Sequence, residues 1–223
     1  MKLTAIIGSP HGMRGNTGAV LRGVLEGAEE AGAHVTLFEL SKLRVGPCTA
    51  CEVCHKTGQC AIRDDFGAVL QAMIDADAIV LASPNYIFSV TAQMKALLDR
   101  CSGPLHTQLL QGKHAAAVVT SGGAGSGEVE TYLLRFLRTL GCWTVGSLGA
   151  EALQLFGDAT RTGVLVAAAK LGADLIAAAE ESRTFPEQEP EQAAFRERMK
   201  QLVTFRRQDW PYEYEYWRAA GRL

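Results

Sequence analysis

The sequence predicts an α/β fold in which a parallel sheet is covered by helices on both faces. Two observations lead to this prediction. Apolar stretches of strand length alternate with stretches of helical periodicity as far as about residue 182, and the strand-like stretches are apolar throughout instead of on every second residue. Strands with this composition are buried on both faces, as in a parallel sheet packed between helices.

The five predicted strands are short apolar runs that end at turn-forming residues. "KLTAIIG" ends at Gly8, "DAIVLASP" ends at Pro84, and "HAAAVVTSGG" runs into two glycines. In chain order, the predicted strands are residues 2–8, 34–40, 77–84, 114–123 and 142–150.

Five helices are predicted to cover this sheet. The first has apolar residues at helical spacing from Val20 to Ala28 and closes at Gly32, and the second opens with Asp64 and Asp65, which suit a helix N-terminus. In chain order, the predicted helices are residues 17–32, 64–76, 91–101, 127–141 and 161–182.

Length and composition limit the class of protein. The chain has 223 residues with 48% hydrophobic and 21% charged, which suits one domain with an extension. The net charge of −2 provides no basic surface for nucleic acid. The N-terminus lacks the plan of a signal peptide, and we expect the apolar-rich stretch 163–179, broken by Lys170 and Asp174, to be too short and too polar to span a bilayer. We therefore predict a cytoplasmic protein with reduced cysteines and no membrane partner.

The composition changes after Arg183, which predicts a domain of residues 1–183 and an extension of residues 184–223. The extension comprises a Pro/Glu/Gln-rich linker, an amphipathic helix at 191–208, and an end segment with three of the five tyrosines and two of the three tryptophans. Rings of this size are unfavourable in water, so they must pack on their own domain, on a second subunit or at a pocket mouth. We predict that they contribute to the interface of a homodimer or homotetramer.

Three loops follow predicted strands at one edge of the sheet, where open parallel sheets bind ligands. The first, "GSPHGMRGNT" (8–17), places glycines and polar side chains before a helix N-terminus. The free N–H groups and the positive dipole end of a helix N-terminus can bind an anion such as a phosphate. The second (83–100) carries Tyr86 and Phe88, which suit a flat ligand, and the third (120–128) has four glycines that allow close backbone approach. The alternatives are a plain strand-to-helix turn and aromatic rings that pack under the following helix.

As a set, "GSPHGMRGNT", "SPNY" with "MKALLDR", and "TSGG" resemble the flavin loops of flavodoxin-like flavoproteins. The resemblance is closest to the NAD(P)H-dependent FMN reductases and their iron–sulfur flavoprotein relatives. It implies a flavodoxin-like three-layer sandwich with a five-stranded parallel sheet of order 2-1-3-4-5, and FMN at the carboxyl ends of the strands. The FMN-binding residues predicted on this basis are Ser9, His11, Arg14, Asn16, Thr17, Pro84, Asn85, Tyr86, Ile87, Phe88, Thr120, Gly122 and Gly123.

Four of the six cysteines lie in "CTACEVCHKTGQC" (48–60) with the spacing C-x2-C-x2-C-x5-C. Thiols at a constant interval of three wind a loop round a compact object, as in cubane iron–sulfur sites, whereas zinc knuckles pair two C-x2-C units across a longer spacer. The spacing resembles the compact cluster motif of the iron–sulfur flavoproteins, which implies a [4Fe–4S] cluster. Zinc, and unligated thiols or labile redox pairs, remain open alternatives. The predicted metal ligands are Cys48, Cys51, Cys54 and Cys60.

The remaining cysteines and histidines give weaker signals. Cys101 and Cys142 are expected to be packing residues, and His55, next to Cys54, is expected to be solvated. No catalytic side chain is predicted, because hydride passes directly between a nicotinamide and a flavin in enzymes of this kind.

The predicted function is an FMN-dependent oxidoreductase that takes electrons from NAD(P)H as co-substrate and passes them to a quinone, a flavin or another small acceptor. One alternative is an iron–sulfur flavoprotein that carries electrons between protein partners. Another is a zinc-stabilised binding module without a flavin. An electron carrier is expected to have a strongly acidic face, and a net charge of only −2 gives no sign of one. The small net charge therefore favours the enzyme.

Overall fold

The computed structural model describes residues 1–223 and contains a five-stranded parallel sheet in the order β2-β1-β3-β4-β5. The predicted strand order is therefore confirmed, and the strand positions agree with the prediction to within about two residues. The strands are β1 (Lys2–Ile7), β2 (His34–Glu39), β3 (Ala78–Pro84), β4 (His114–Ser121) and β5 (Trp143–Glu151).

Ten α-helices accompany the sheet, together with single 3₁₀ turns at Gly12–Arg14 and Leu40–Lys42. The helices are α1 (Asn16–Glu30), α2 (Val53–Thr57), α3 (Phe66–Asp75), α4 (Ala92–Asp99), α5 (Ser102–Thr107), α6 (Ser126–Thr139), α7 (Ala152–Phe156), α8 (Asp158–Glu180), α9 (Glu189–Phe205) and α10 (Pro211–Ala219).

The two faces of the sheet are covered by separate hydrophobic cores. One core includes residues of α3, α4 and α6, and the other includes residues of α1 and α8. Successive residues of β3 alternate between them, since Ile79 and Leu81 lie in the first core and Val80 in the second. The predicted three-layer sandwich is confirmed, and its central strands are buried on both faces.

α8 is long and apolar enough to cross a membrane by length and composition alone, so the expectation that this stretch is too short and too polar is wrong. The helix packs against α1 instead. A Cβ at Gly172 would lie 2.0 Å from the Val24 carbonyl oxygen, and Leu175 and Ile176 are buried in the second core. These contacts bury one part of α8, since 33% of its apolar window lies inside the protein.

Four short helices are absent from the sequence prediction: α2, α5, α7 and α10. The first three have five or six residues, which is too short for a hydrophobic periodicity to emerge. α10 begins with Pro211 in its first turn, and proline in this position is a helix-start signal that the sequence analysis did not use.

The aromatic end segment packs on its own chain. α10 lies against α2 and α5, and Trp217 is 1% exposed, with its indole N–H donating to the His106 carbonyl oxygen at 2.9 Å. Both tryptophans of the segment are therefore buried without a second subunit, so the cost of exposing them to water is no longer an argument for an interface. The homo-oligomer and the domain boundary at residue 183 remain predictions.

Candidate functional site

An open cavity of about 390 Å³ lies at the carboxyl edge of the sheet, between the loops that follow β1, β3 and β4. It brings together nine of the predicted flavin-site residues: Ser9, His11, Asn16, Thr17, Pro84, Asn85, Tyr86, Thr120 and Gly122. The lining also includes Gly15, one of the glycines of the first loop that were expected to allow close approach of a ligand, and two residues that were not predicted, Ser121 and Ala152.

The first loop is held in place by Glu39, the last residue of β2. The Glu39 carboxylate accepts the Met13 N–H at 3.0 Å and pairs with Lys42 at 2.5 Å. The hydrogen bond from Lys42, followed by that from Met13, holds the pKa of Glu39 below its usual value. The turn at Gly12–Arg14 is thereby fixed in front of α1, which begins at the cavity.

The N-terminus of α1 forms an anion cradle. Its N-cap, Gly15, makes no side-chain cap hydrogen bond, and its first turn contains no acidic residue. The first N–H groups of a helix have no intrahelical acceptors, so they are available to a ligand. Beside them, Ser9 is buried and the hydroxyls of Thr17 and Thr120 are 2.6 Å apart.

Two residues that line this cavity each carry a buried polar atom without a hydrogen-bond partner, the side-chain oxygen Oδ1 of Asn85 and the hydroxyl of Ser121. The amide nitrogen of Asn85 is held by the Ala124 carbonyl oxygen at 2.9 Å, which fixes the side chain. A Cβ at Gly122 would meet no atom within 4 Å. Unpartnered polar atoms beside open backbone fit the polar edge of a flat ring, and with the anion cradle they fit FMN.

Four predicted flavin-site residues are outside the lining of this cavity: Arg14, Ile87, Phe88 and Gly123. Arg14 is exposed, and the Ile87 and Phe88 side chains are 92% and 73% exposed. Both have positive φ angles, 52° and 59°, so this turn directs its apolar side chains outward. Their contact with a flavin remains a prediction.

The four clustered cysteines line one cavity of about 240 Å³ and form no disulfide. Cys48 and Cys51 are exposed, while Cys54 and Cys60 are partly buried. The pKa of Cys51 is below the usual thiol value, chiefly because its sulfur accepts the Val53 N–H. Four thiols that converge on one space suit a metal cluster, since the thiolate is the metal-binding form.

Arg100, within the predicted "MKALLDR" segment, supplies a positive charge to this cavity. Its buried guanidinium donates to the Cys60 sulfur at 3.1 Å and to the Asp64 carboxylate at 2.5 Å, and lies 4.3 Å from the centre of the Phe66 ring. Its Nε has no partner. A buried cation within hydrogen-bond distance of one of the four sulfurs fits an anionic thiolate-ligated cluster.

Replacing Asp64 with asparagine should lower the free energy of unfolding by about 3–5 kcal/mol at pH 7, because it leaves the buried Arg100 cation unpaired. Burial raises the pKa of Asp64, but hydrogen bonds from Arg100, Gly46 and Phe66 outweigh it and lower the pKa. A depressed carboxyl pKa stabilises the fold above the unfolded value, about 3.9, and this contribution is lost as pH falls through the folded pKa.

Urea unfolding of wild type and Asp64→Asn at pH 7 and in acid would measure this effect. The exposed Asp75, which bonds only to Gln71, provides the control Asp75→Asn, with an expected change within about 0.5 kcal/mol. Equal stability of the two variants at pH 7 would show that Arg100 does not depend on Asp64.

Burial also identifies the role of the other two cysteines. Cys101 and Cys142 are buried in the first core, and burial raises the pKa of each thiol to about 12. The structure agrees with the prediction that they are packing residues, because neither thiol is available as a thiolate near neutral pH.

The expectation that His55 is solvated is wrong. His55 is 7% exposed because α10 covers it, and its Nδ1 lies 2.5 Å from Oε1 of Glu213. Burial lowers its pKa, but the contacts with Cys54 and Glu213 outweigh this and raise it to about 10. Glu213 lies 158 residues away in the sequence, so no local pattern could reveal the pair.

Comparison with known proteins identifies the family. A family model described as NADPH-dependent FMN reductase matches residues 1–152. An iron–sulfur flavoprotein of Archaeoglobus fulgidus is 32% identical over 222 residues, which cover 99% of both chains. An NAD(P)H:quinone oxidoreductase from Methanothermobacter marburgensis has a TM-score of 0.62 at 18% identity, covering 78% of this chain and 98% of its own. A flavodoxin from the domain Archaea has a TM-score of 0.55 at 18% identity, covering 81% of this chain and 99% of its own.

The two structural matches support the flavodoxin-like fold, and the family match extends over the part of the chain that builds the cavity. It includes β1 to β5, the three loops at their carboxyl ends and Ala152, the last of the lining residues. The four cysteines of the second cavity also lie within it. The protein is therefore a member of the NADPH-dependent FMN reductase family.

Proposed function

We propose that this protein is an FMN-dependent oxidoreductase that takes electrons from NADH or NADPH and passes them to a small acceptor such as a quinone. The observation that carries the proposal is the cavity at the carboxyl edge of the sheet, where an uncapped helix N-terminus meets unpartnered polar atoms. The structural neighbour named as an NAD(P)H:quinone oxidoreductase supports this choice of donor and acceptor.

Each part of the cavity has a separate role in this proposal. The first turn of α1 binds the phosphate, and the Asn85 oxygen and the Ser121 hydroxyl orient the polar edge of the ring. Tyr86 lines the cavity while 47% of it is exposed, so it stands at the mouth, where a second flat molecule would stack. FMN, when bound, supplies the capacity to accept a hydride and to release single electrons.

The visible spectrum of the purified protein tests the proposal first. We expect the two absorption bands of an oxidised flavin, and bleaching of both bands within seconds of adding NADH or NADPH without oxygen. Addition of a water-soluble benzoquinone should restore them. A protein that stays colourless after incubation with FMN would contradict the proposal, and one whose bands resist both nicotinamides would contradict its enzyme class.

A second candidate function is electron transfer between protein partners through a [4Fe–4S] cluster. It is favoured by the convergence of four thiols on one cavity and by the full-length similarity to an iron–sulfur flavoprotein. The four cysteine sulfurs would hold the cluster, and the Arg100 N–H would donate to the Cys60 sulfur. The cluster, when bound, supplies one-electron transfer, and a reducing compartment, which we propose is the cytoplasm, keeps its thiols available.

Metal analysis separates the two candidates when combined with the turnover measurement. Protein purified without oxygen should contain iron and acid-labile sulfide in equal amounts, about four of each per chain. Such a protein that oxidises NADH or NADPH only when a protein acceptor is added would be a carrier, whereas turnover with the benzoquinone alone supports the enzyme. Zinc without sulfide would contradict the cluster.

A further inference from the structure

α10 and its N-cap residue, Trp210, contact the cysteine loop at three positions. The Trp210 indole N–H lies 3.4 Å from the Glu52 carboxylate, and Glu213 binds His55. At Gly58, which has a φ of 76°, a Cβ would lie 2.3 Å from the Tyr212 ring. These contacts at residues 52, 55 and 58 recur at the same interval of three as the first thiols. Residue 52 lies between Cys51 and Cys54, and residues 55 and 58 both lie between Cys54 and Cys60.

The central contact is a carboxylate that is completely buried. Glu213 is 0% exposed, and its two oxygens bind different helices, Oε1 to His55 in α2 at 2.5 Å and Oε2 to His106 in α5 at 3.0 Å. The Trp210 ring stacks on the His106 imidazole at a centroid distance of 4.9 Å and lies tilted against the His55 imidazole at 4.5 Å. A buried carboxylate stabilises a structure only when it is paired this completely, and these pairs join α10, α2 and α5.

The joined helices enclose one of the proposed cluster ligands. Cys54 directly precedes His55, and a Cβ at Gly103 in α5 would lie 3.9 Å from the Cys54 sulfur. Ala50 and Glu52, on either side of the exposed Cys51, have φ angles of 52° and 58°, which are unfavourable for residues with side chains. A loop with this backbone needs contacts from outside to keep one conformation.

We propose that α10 is a clamp for the cysteine loop, and that Glu213 is a positioning residue which acts through His55 to hold the four thiols in their cluster-binding arrangement. The inference rests on the proposed cluster. Glu213 touches no reacting atom in this assignment. It sets the position of α2, and α2 carries Cys54.

The same side chains offer another assignment, because ligand atoms of His55, His106 and Glu213 lie within 4.8 Å of one another, as in a divalent-metal site. Each carboxylate oxygen is already within hydrogen-bond distance of an imidazole nitrogen. The Glu213 carboxylate therefore has a partner for each oxygen without a metal ion, which favours the role of a clamp.

The test compares Glu213→Gln with Glu215→Gln, the same substitution two residues later on the same helix. Glu215 is exposed and pairs only with Arg218. In Glu213→Gln we expect at least a twofold loss of iron and sulfide per FMN, and a changed electron paramagnetic resonance signal from the reduced cluster that remains. We also expect hydrogen exchange at residues 51–60 to accelerate about tenfold or more, because a charged hydrogen bond is lost. FMN content should be unchanged, and Glu215→Gln should match the wild type.

The outcomes separate this inference from the proposed cluster. Wild-type protein without iron or sulfide would remove the cluster, but faster exchange at residues 51–60 in Glu213→Gln alone would still support the clamp. Equal exchange rates and equal iron in the two variants would overturn it, as would one zinc per chain that is lost in Glu213→Gln. If Glu213→Gln does not fold, Tyr212→Ala, at an exposed ring, must give faster exchange around Gly58 for the clamp to stand.

Discussion

Replacing Asn16 with aspartate should weaken FMN binding by about a hundredfold or more. Asn16 is the first residue of α1 and lines the cavity at the proposed phosphate site. A carboxylate about 4 Å from a phosphate charge is repelled by about 4 kcal/mol at the effective dielectric constant typical of a protein surface. Solvent screens part of this repulsion, because Asn16 is exposed. The remaining repulsion corresponds to an increase of about two or three powers of ten in the FMN dissociation constant. Flavin fluorescence quenching with apoprotein at pH 7 measures the dissociation constant.

Two control variants separate charge from the loss of a hydrogen bond. Asn16→Ala removes the amide without adding charge and should weaken FMN by about tenfold, the value of one hydrogen bond to a charged group. Arg14→Ala should have a smaller effect, since Arg14 is exposed and outside the cavity lining. If Asn16→Asp binds FMN as tightly as wild type, the phosphate does not lie at the start of α1.

The fold could be predicted because its central strands leave a plain signal in the sequence. β3 is buried from Ala78 to Ser83, so every position selects an apolar or small residue and the run cannot be mistaken for an amphipathic segment. No residue of the edge strand β2 is fully buried, so its apolar signal is weaker than that of the central strands. Helices of five or six residues leave no such pattern, which is why α2, α5 and α7 were missed.

The candidate flavin site could be predicted in outline because parallel strands end at one edge of their sheet. On this basis, residues as distant in the sequence as Thr17 and Thr120 could be assigned to one site, and their hydroxyl oxygens lie 2.6 Å apart. This rule could not identify Ser121, because only the fold shows that its hydroxyl is buried without a partner. Nor could it predict the outward direction of Ile87 and Phe88, which follows from two positive φ angles within one turn.

The contacts around the cysteine loop were beyond prediction for a different reason. The spacing of the cysteines is local, so it predicted that they surround one object, and the structure places all four on one cavity. The residues that support the loop come from other parts of the chain, Arg100 from the end of α4 and Glu213 from α10. A single sequence contains no signal that joins positions 158 residues apart.

Replacing Cys51 with serine should remove most of the iron and acid-labile sulfide from protein purified without oxygen, while FMN is retained. Four thiolates hold a cubane cluster as a unit, and a serine oxygen is a poor substitute for a sulfur ligand. Cys51 is exposed, so the substitution opens no cavity in a hydrophobic core. Once metal has been removed from both proteins, the free energy of unfolding of the variant should lie within about 0.5 kcal/mol of the wild-type value. The flavin should remain because its cavity shares no lining residue with the cysteine cavity.

Iron, sulfide and flavin measured on the same sample give the result as ratios, which removes differences in yield. Lys56→Ser provides the matched control, because Lys56 is exposed in the same loop and carries no sulfur. It should keep the wild-type ratio of iron to FMN. The same loss is expected for serine at the other three positions, since the ligands act together. A Cys51→Ser protein that keeps its full iron and sulfide would exclude this sulfur as a ligand, and would leave the compact spacing of the four cysteines without the function proposed for it.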